Sequence, residues 1–333
     1  MRDHRMDKKV SVCITTYNHE KFISQAIDSV LMQEVNFDYE LIIGEDDSSD
    51  GTREIVKAYK VRYPDRIRLF LNDRENVIYI NGRATGRWNF VNNIKHATGQ
   101  YVALLEGDDY WTDPHKLQKQ VEFLDSNQEF TICFHNVKVI YEKCDVQPHL
   151  FYIENPNQPF MQRKPKEITN ISDLVKGNYI QTPSVLFRAG LFTEFPDWFY
   201  KLDRGDWPLH IINAQHGKIK YLDEVLAVYR VHSGGIYSSK DHIVQLSGAI
   251  SASIEIDRHL RYKYHKEIWE YNTQRIRQSI SLMMVRDGFS ETLKFTLVYI
   301  TKYGAISNLA IVIILQFIKV FLLEVYRVLI RKI

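Results

Sequence analysis

Two runs of carboxylates stand out: Glu45-Asp46-Asp47, followed by Ser48-Ser49-Asp50-Gly51-Thr52, and Glu106-Gly107-Asp108-Asp109. Carboxylates crowded together raise one another's pKa unless a cation or a donor compensates. A hard divalent cation is the simplest compensation, because Mg2+ and Mn2+ take oxygen ligands and are often shared with substrate phosphates. The plain alternative is that such residues are solvated in a turn or cap the next helix. That alternative suits Asp50 and Asp113, which hold cap-like positions. It suits Asp108 poorly, since its cluster closes the apolar run 102–105 and precedes the aromatic residues Tyr110 and Trp111. The residues alone therefore point to a metal and phosphate site.

The elements that must position these groups follow from periodicity. Residues 10–15 (VSVCIT) read as a short buried strand, and Phe22, Ile23, Ala26, Ile27, Val30 and Leu31 share one face of a helix. A strand at 39–43, a helix carrying Ile55, Val56 and Tyr59, and a strand at 67–71 come next. After a polar loop over 72–87, a helix carries Phe90, Val91 and Ile94, and a strand covers 101–105. Asp113-Pro114 start another helix, with aspartate capping free amides and proline standing where no amide is needed; Leu117, Val121 and Leu124 form its buried stripe. This alternation predicts an α/β fold, a mostly parallel sheet with helices on both faces, whose ligands lie beyond the carboxyl ends of the strands. Both acidic runs fall there. Residues 145–170 hold four of the nine prolines and read as a mobile surface loop, a lid over the acceptor side. A helix over 206–217, strands at 219–221 and 225–230, and only helix from about 241 complete the chain.

Composition narrows the classes. The 333 residues suggest one large domain plus an appendage, and 45% hydrophobic with 25% charged residues is ordinary for a folded protein. A net charge of +2 gives no whole-molecule argument for nucleic acid. Three cysteines (Cys13, Cys133, Cys144) without CxxC spacing argue against a disulfide framework or a zinc site and for a reducing compartment. The charged start MRDHRMDKK has no apolar run of signal-peptide length behind it, so the expectation is a cytoplasmic protein.

The runs SVCITTYNHEKFISQAIDSVLMQ (11–33), GEDDSSDGT (44–52), LLEGDDYWTDPHKLQKQ (104–120), GDWPL (205–209) and YLDEVLAVYRVHSGG (221–235) resemble the family 2 glycosyltransferases of GT-A fold. The resemblance covers roughly residues 8–240 and implies a catalytic domain over 1–240 and a C-terminal helical region over 241–333. It also implies a nucleotide diphosphate sugar donor, with UDP the usual nucleotide, and Mn2+ or Mg2+ as cofactor. Thr15 and Tyr17 would line the base pocket and Asp46 would hydrogen-bond the base. Asp108 would reach the metal, together with His232, and Glu106 the ribose or a metal-bound water. Glu106 departs from the family's Asp-x-Asp by one methylene. Arg83 or Arg87 stands where many members carry an arginine. Asp206 matches the family's general base; the alternative for it is a helix cap. One base and no opposing nucleophile imply a single displacement with inversion.

Residues 305–333 are strongly apolar, but the longest unbroken apolar run, 309–315, is far shorter than a span needs. On a helical wheel Gln316, Lys319, Glu324, Arg327 and Arg331 gather on one side, with a broad apolar face opposite. That division fits a helix lying on an anionic membrane at its cytoplasmic face, or one buried in the core. The expected partners are a nucleotide sugar, a saccharide or lipid-linked saccharide acceptor, and a membrane surface, in cell-surface polysaccharide synthesis. A nucleotidyltransferase would carry a glycine-rich loop where TTYNHEKF has none, and a non-catalytic binding module would be expected to lack Asp108 or Asp206.

Overall fold

A computed structural model describes residues 8–80, 82–142, 145–153, 162–235, 241–303 and 314–322. Cys144, the middle of the expected lid (154–161), and residues 305–313 and 323–333 of the apolar C-terminal segment lie outside the described residues. The chain divides into two compact units, residues 1–174 with 178–239, and 175–177 with 240–333.

The first unit opens with β1 (Lys8–Thr16), α1 (Ile23–Leu31), β2 (Tyr39–Glu45), α2 (Thr52–Arg62) and β3 (Ile67–Leu71). A hairpin of β4 (Ile78–Ile80) and β5 (Arg83–Thr85) leads to α3 (Arg87–Lys95), β6 (Gly99–Glu106), β7 (Tyr110–Trp111), α4 (Lys116–Ser126) and β8 (Phe130–Tyr141). Short strands β9 (His149–Leu150), β10 (Tyr152–Ile153), β11 (Gln162–Arg163) and β12 (Ile168–Thr169) occupy the described part of the expected loop, followed by α5 (Ile171–Leu174). Then come β13 (Leu186–Arg188), α6 (Asp206–Ala214) and β14 (Lys218–Val231).

The main sheet runs β12-β14-β8-β13-β6-β1-β2-β3, with β7 on β14 and β9 on β8. β6, β1, β2 and β3 are parallel, as are β8 and β14. β13 runs antiparallel between β6 and β8, so the α/β sheet is mixed. Val10, Val12, Ile14, Leu41, Ile42 and Ile43 are fully buried. A strand covered on both faces reads as an unbroken apolar run, and each such side chain contributes about 1.5–3 kcal/mol by burial.

Two features depart from periodicity. The buried face of α3 is Arg87, Asn89, Val91 and Asn93 rather than Phe90 and Ile94. Asn89 Nδ2 donates to Gly44 O (2.7 Å) and Asn93 Nδ2 to Ile14 O (2.9 Å), so the asparagines face the sheet to satisfy strand carbonyls. β8 was not singled out because it buries His135 and Asn136 within its run; Asn136 Oδ1 accepts from the Val137 and Tyr152 amides. The two strands expected at 219–221 and 225–230 are one strand, β14, with register irregularities around Val225.

The second unit contains α7 (His242–His259), α8 (His265–Arg286), α9 (Gly288–Tyr303) and a helical segment over 314–322. Asp241 caps α7 by accepting from the Ile243 amide at 2.8 Å. Ile250, Ile254, Ile276, Ile280, Met284 and Val320 form its core, with Trp269, Phe295 and Phe317 packed against it. Gln316 Nε2 donates to Ser281 Oγ (3.4 Å), so Gln316 turns toward α8 rather than toward water. Ile314, Leu315, Ile318, Phe321 and Leu322 are exposed. Among the described residues no helix is long and apolar enough to cross a membrane.

Candidate active site

Register brings the site together. β1 pairs with β2 and β6 so that Thr15 lies beside Gly44 and Glu106, and Thr16 beside Glu45. The carboxyl ends of three parallel strands therefore deliver both acidic runs to one rim, next to the loop entering α1.

Arginines stand against the carboxylates of the first run. Glu45 is fully buried and accepts from Arg53 Nε, while Asp47, at φ 58°, lies 3.3 Å from Arg53 Nη1. Asp46 is 4% exposed, and Arg74 Nη1 reaches its carbonyl at 3.3 Å and its carboxylate at 3.9 Å. The Arg74 guanidinium also lies over the Tyr17 ring, 4.6 Å from its centroid. Burial pushes the Asp46 carboxyl up to about 6, with Arg74 opposing. Tyr17 and Asp46 thus share one arginine, which the sequence reading missed because Arg74 sits in a polar loop without a motif. Asp50 and Asp113 accept from the Thr52 amide (3.0 Å) and the His115 amide (2.7 Å), but Gly51 and His115 hold the N-cap positions, and α4 starts at Lys116 rather than at Asp113-Pro114.

The second run is held by β14 and α1. β7 pairs with β14 through Trp111 to Ala227 and Tyr110 to Val228, which carries Arg230 and His232 to the carboxylates. The Arg230 amide donates to Asp109 Oδ1 (2.8 Å) and its guanidinium to the Asp108 carbonyl. His232 Nε2 lies 2.9 Å from Asp108 Oδ2, and His19 Nε2 lies 3.7 Å from the same oxygen. The Phe22 ring packs on His232 with centroids 4.9 Å apart. Gly107 allows this approach: a Cβ there would lie 2.5 Å from Thr16 Oγ1 and 2.7 Å from His19 Nδ1.

Asp108 is 9% exposed, and its Oδ1 is buried without a hydrogen-bond partner among the described residues. Burial opposes its ionisation, yet the hydrogen bond with His232, and His19 beside it, hold its carboxyl below the usual range. An ionised carboxylate with one orphaned oxygen, flanked by imidazoles, fits a divalent cation. Glu106, Asp108 and Asp109 also bring oxygens within 4.8 Å of one another. Glu106 keeps solvent-accessible surface, but surrounding protein, then repulsion from Asp108 and Asp206, raises its pKa.

Asp206 is the first residue of α6, behind Gly205, and its side chain makes no capping hydrogen bond. Oδ2 instead accepts from Asn178 Nδ2 at 2.7 Å. Arg87, 5% exposed, donates to Leu202 O at 2.9 Å. Burial lowers its pKa to about 10, opposed first by the charge of Asp206 and then by Asp203. Gly205 makes room, since a Cβ there would fall 1.8 Å from Arg87 Nη1. Of the two candidate arginines, Arg87 therefore lies beside Asp206, whereas Arg83 is exposed on β5. Asn178 belongs to no motif and could not be found from spacing. His19 could have been, as the only imidazole in the loop TTYNHEKF.

The family model "Glycosyl transferase family 2" matches residues 11–192, more than half of the chain. An uncharacterized protein of Mycobacterium tuberculosis is 37% identical over 230 residues, 69% of this chain, and the chain spans only 61% of that relative's length. The UDP-Glc:alpha-D-GlcNAc-diphosphoundecaprenol beta-1,3-glucosyltransferase WfgD of Escherichia coli is 34% identical over 134 residues, covering 40% of this chain and 47% of WfgD. The crystal structure of Staphylococcus aureus TarS 1–349 in complex with UDP-GlcNAc superimposes with a TM-score of 0.53 at 19% identity, covering 87% of this chain and 75% of that one. That likeness establishes the GT-A-type fold. With the family model spanning the strand ends that carry Thr15, Asp46, Glu106 and Asp108, the chain belongs to glycosyltransferase family 2.

Proposed function

We propose that this glycosyltransferase takes a sugar from a UDP donor and adds it, with inversion, to a saccharide or lipid-linked saccharide during cell-surface polysaccharide synthesis. The observation that carries the reading is an orphaned, imidazole-flanked carboxylate at Asp108 and an uncapping carboxylate at Asp206, both close enough to Glu106 for their charges to raise its pKa. The UDP-GlcNAc held by TarS and the lipid diphosphate acceptor in the name of WfgD support the donor and acceptor classes.

In this reading Thr15, Tyr17 and Asp46 bind the nucleotide, and Arg74 fixes the Tyr17 ring against Asp46. Asp108 and His232 hold Mn2+ or Mg2+, which when bound neutralises the diphosphate leaving group. Glu106 accepts from the ribose. Asp206 takes the proton of the attacking hydroxyl, while Asn178 orients its carboxylate by donating to Oδ2. A single base acting on the acceptor hydroxyl gives one displacement. The exposed apolar side of 314–322, with Lys319, supports a peripheral contact at the inner face of the membrane.

Calorimetric titration of UDP with and without Mn2+ tests the donor half. UDP binds more tightly with Mn2+, and Asp108→Ala removes most of the enhancement. Equal affinities in the unaltered protein would refute the metal-dependent reading.

A further inference from the structure

We infer that His19 is a third protein ligand of the divalent cation, giving a two-histidine, one-carboxylate centre that prefers Mn2+ to Mg2+. The inference rests on the metal-dependent reading above and extends it to the loop before α1. The Nε2 atoms of His19 and His232 both address Asp108 Oδ2, at 3.7 and 2.9 Å, and the three donor groups lie within 4.8 Å of one another. Two donors each roughly 2.1 Å from one ion and at right angles stand about 3 Å apart. The His232 pair already has that spacing, and the His19 pair needs less than an ångström of closure. The imidazole rings stand edge to face, 6.1 Å between centroids, so their nitrogens converge without stacking.

His19 is also oriented as a ligand. Its Nδ1 lies 3.2 Å from Thr16 Oγ1, and the Nδ1–H tautomer that donates there leaves the Nε2 lone pair facing Asp108. The backbone is fixed on both sides. The His19 amide donates to Thr52 Oγ1 (2.8 Å), and its carbonyl accepts from the Phe22 and Ile23 amides at the start of α1. Asn18, at φ 54°, supplies the left-handed turn that points the next residue inward, and its Oδ1 accepts from the Ser49 amide at 2.8 Å. A histidine needed only for packing would not require its Nε2 aimed at a carboxylate whose other oxygen is orphaned.

The donor set sets the preference. Mg2+ favours oxygen ligands, whereas two imidazole nitrogens favour Mn2+ and later first-row ions. The nucleotide-free full chain should therefore bind Mn2+ measurably, which an oxygen-only site completed by substrate phosphates would not do well.

The test titrates Mn2+ into nucleotide-free protein by electron paramagnetic resonance of the free ion, with Mg2+ as competitor. Mn2+ binds at least about tenfold more tightly than Mg2+, and His19→Ala weakens Mn2+ by about 10–100-fold while changing Mg2+ little. Pulsed resonance of the bound Mn2+ in the unaltered protein counts two coordinated imidazoles, a result that holds even if His19→Ala fails to fold. One imidazole in the unaltered protein, or a His19→Ala affinity within twofold of it, overturns the assignment of His19. Protein that binds UDP but no Mn2+ overturns the cation site as a whole, and protein that binds neither overturns the donor reading too.

Discussion

Replacing Asp206 by asparagine separates chemistry from structure at the residue proposed as the base. The side chain keeps its shape, so two losses follow. The first is catalytic: an amide cannot take the proton of the attacking hydroxyl, and a positioned base is worth about 10²–10⁴ in rate. At 1.36 kcal/mol per decade that is roughly 3–5 kcal/mol of barrier. The second is electrostatic. Arg87 is buried, donates to Leu202 O, and has Asp206 as its first countercharge, with Asp203 remaining after the change. Weakening the support of one buried charge costs on the order of 1–3 kcal/mol, which for a domain of this size lowers Tm by roughly 2–12 °C. UDP affinity should barely move, since Asp206 makes no part of the proposed nucleotide contacts. The assay is UDP release in Mn2+ from the UDP-sugar that the unaltered protein cleaves fastest, with water as acceptor, beside a thermal melt and a UDP titration. A release rate within threefold of the unaltered protein, with only Tm reduced, would reassign Asp206 to holding Arg87 and leave the reaction without a base.

Three further outcomes follow from the same geometry. Asp46 accepts more strongly from a base when ionised, and burial puts its carboxyl at about 6, so if it lines the base pocket UDP affinity is full above that pH and declines as pH falls through it; calorimetry from pH 5 to 8 should show this, and a flat profile would exclude Asp46 from the base pocket. Lys116 is fully buried, donates to Gln120 Oε1 (2.7 Å), and stands over Trp111; burial lowers it from 10.5 to about 7. The unfolded chain therefore holds that proton more readily between those values, and stability rises with pH across the window by up to ~1.4 kcal/mol per unit. Lys116→Met should flatten the slope in melts from pH 6.5 to 9.5, and parallel slopes would refute this. Converting Leu315, Ile318 and Leu322 together to glutamate should abolish sedimentation with anionic phospholipid vesicles and leave Tm nearly unchanged, because these side chains are exposed; a large drop in Tm would mean that they are buried in the folded protein instead.

Much of the scaffold was legible because it is local. Apolar runs such as those of β1, β2 and β6 must be covered on both faces, and they announce buried parallel strands whatever surrounds them. The acidic runs fall at strand ends, and Asp50 and Asp113 bond amides two residues on in the turns that precede their helices. Where a side chain's partner is distant in sequence, the pattern carried no signal. α3 turns asparagines inward to reach carbonyls 45 and 79 residues away, and β13 enters the sheet antiparallel through three residues too short to show a period.

The site divides along the same line. The amino-acid sequence by itself determined which carboxylates could do chemistry, that Asp108 and His232 belong with them, and that a sugar-transfer family is the match. Only the tertiary structure decided how each charge is compensated. Carboxylate crowding alone does not tell Glu45, Asp46 and Asp47 from Glu106, Asp108 and Asp109 as a cation site. Folding gives the first set Arg53 and Arg74 and the second two imidazoles. It likewise gives Asp206 the amide of Asn178 instead of a helix end. A carboxylate's role follows from what faces it across space, and that is a property of the packed chain rather than of its neighbours in sequence.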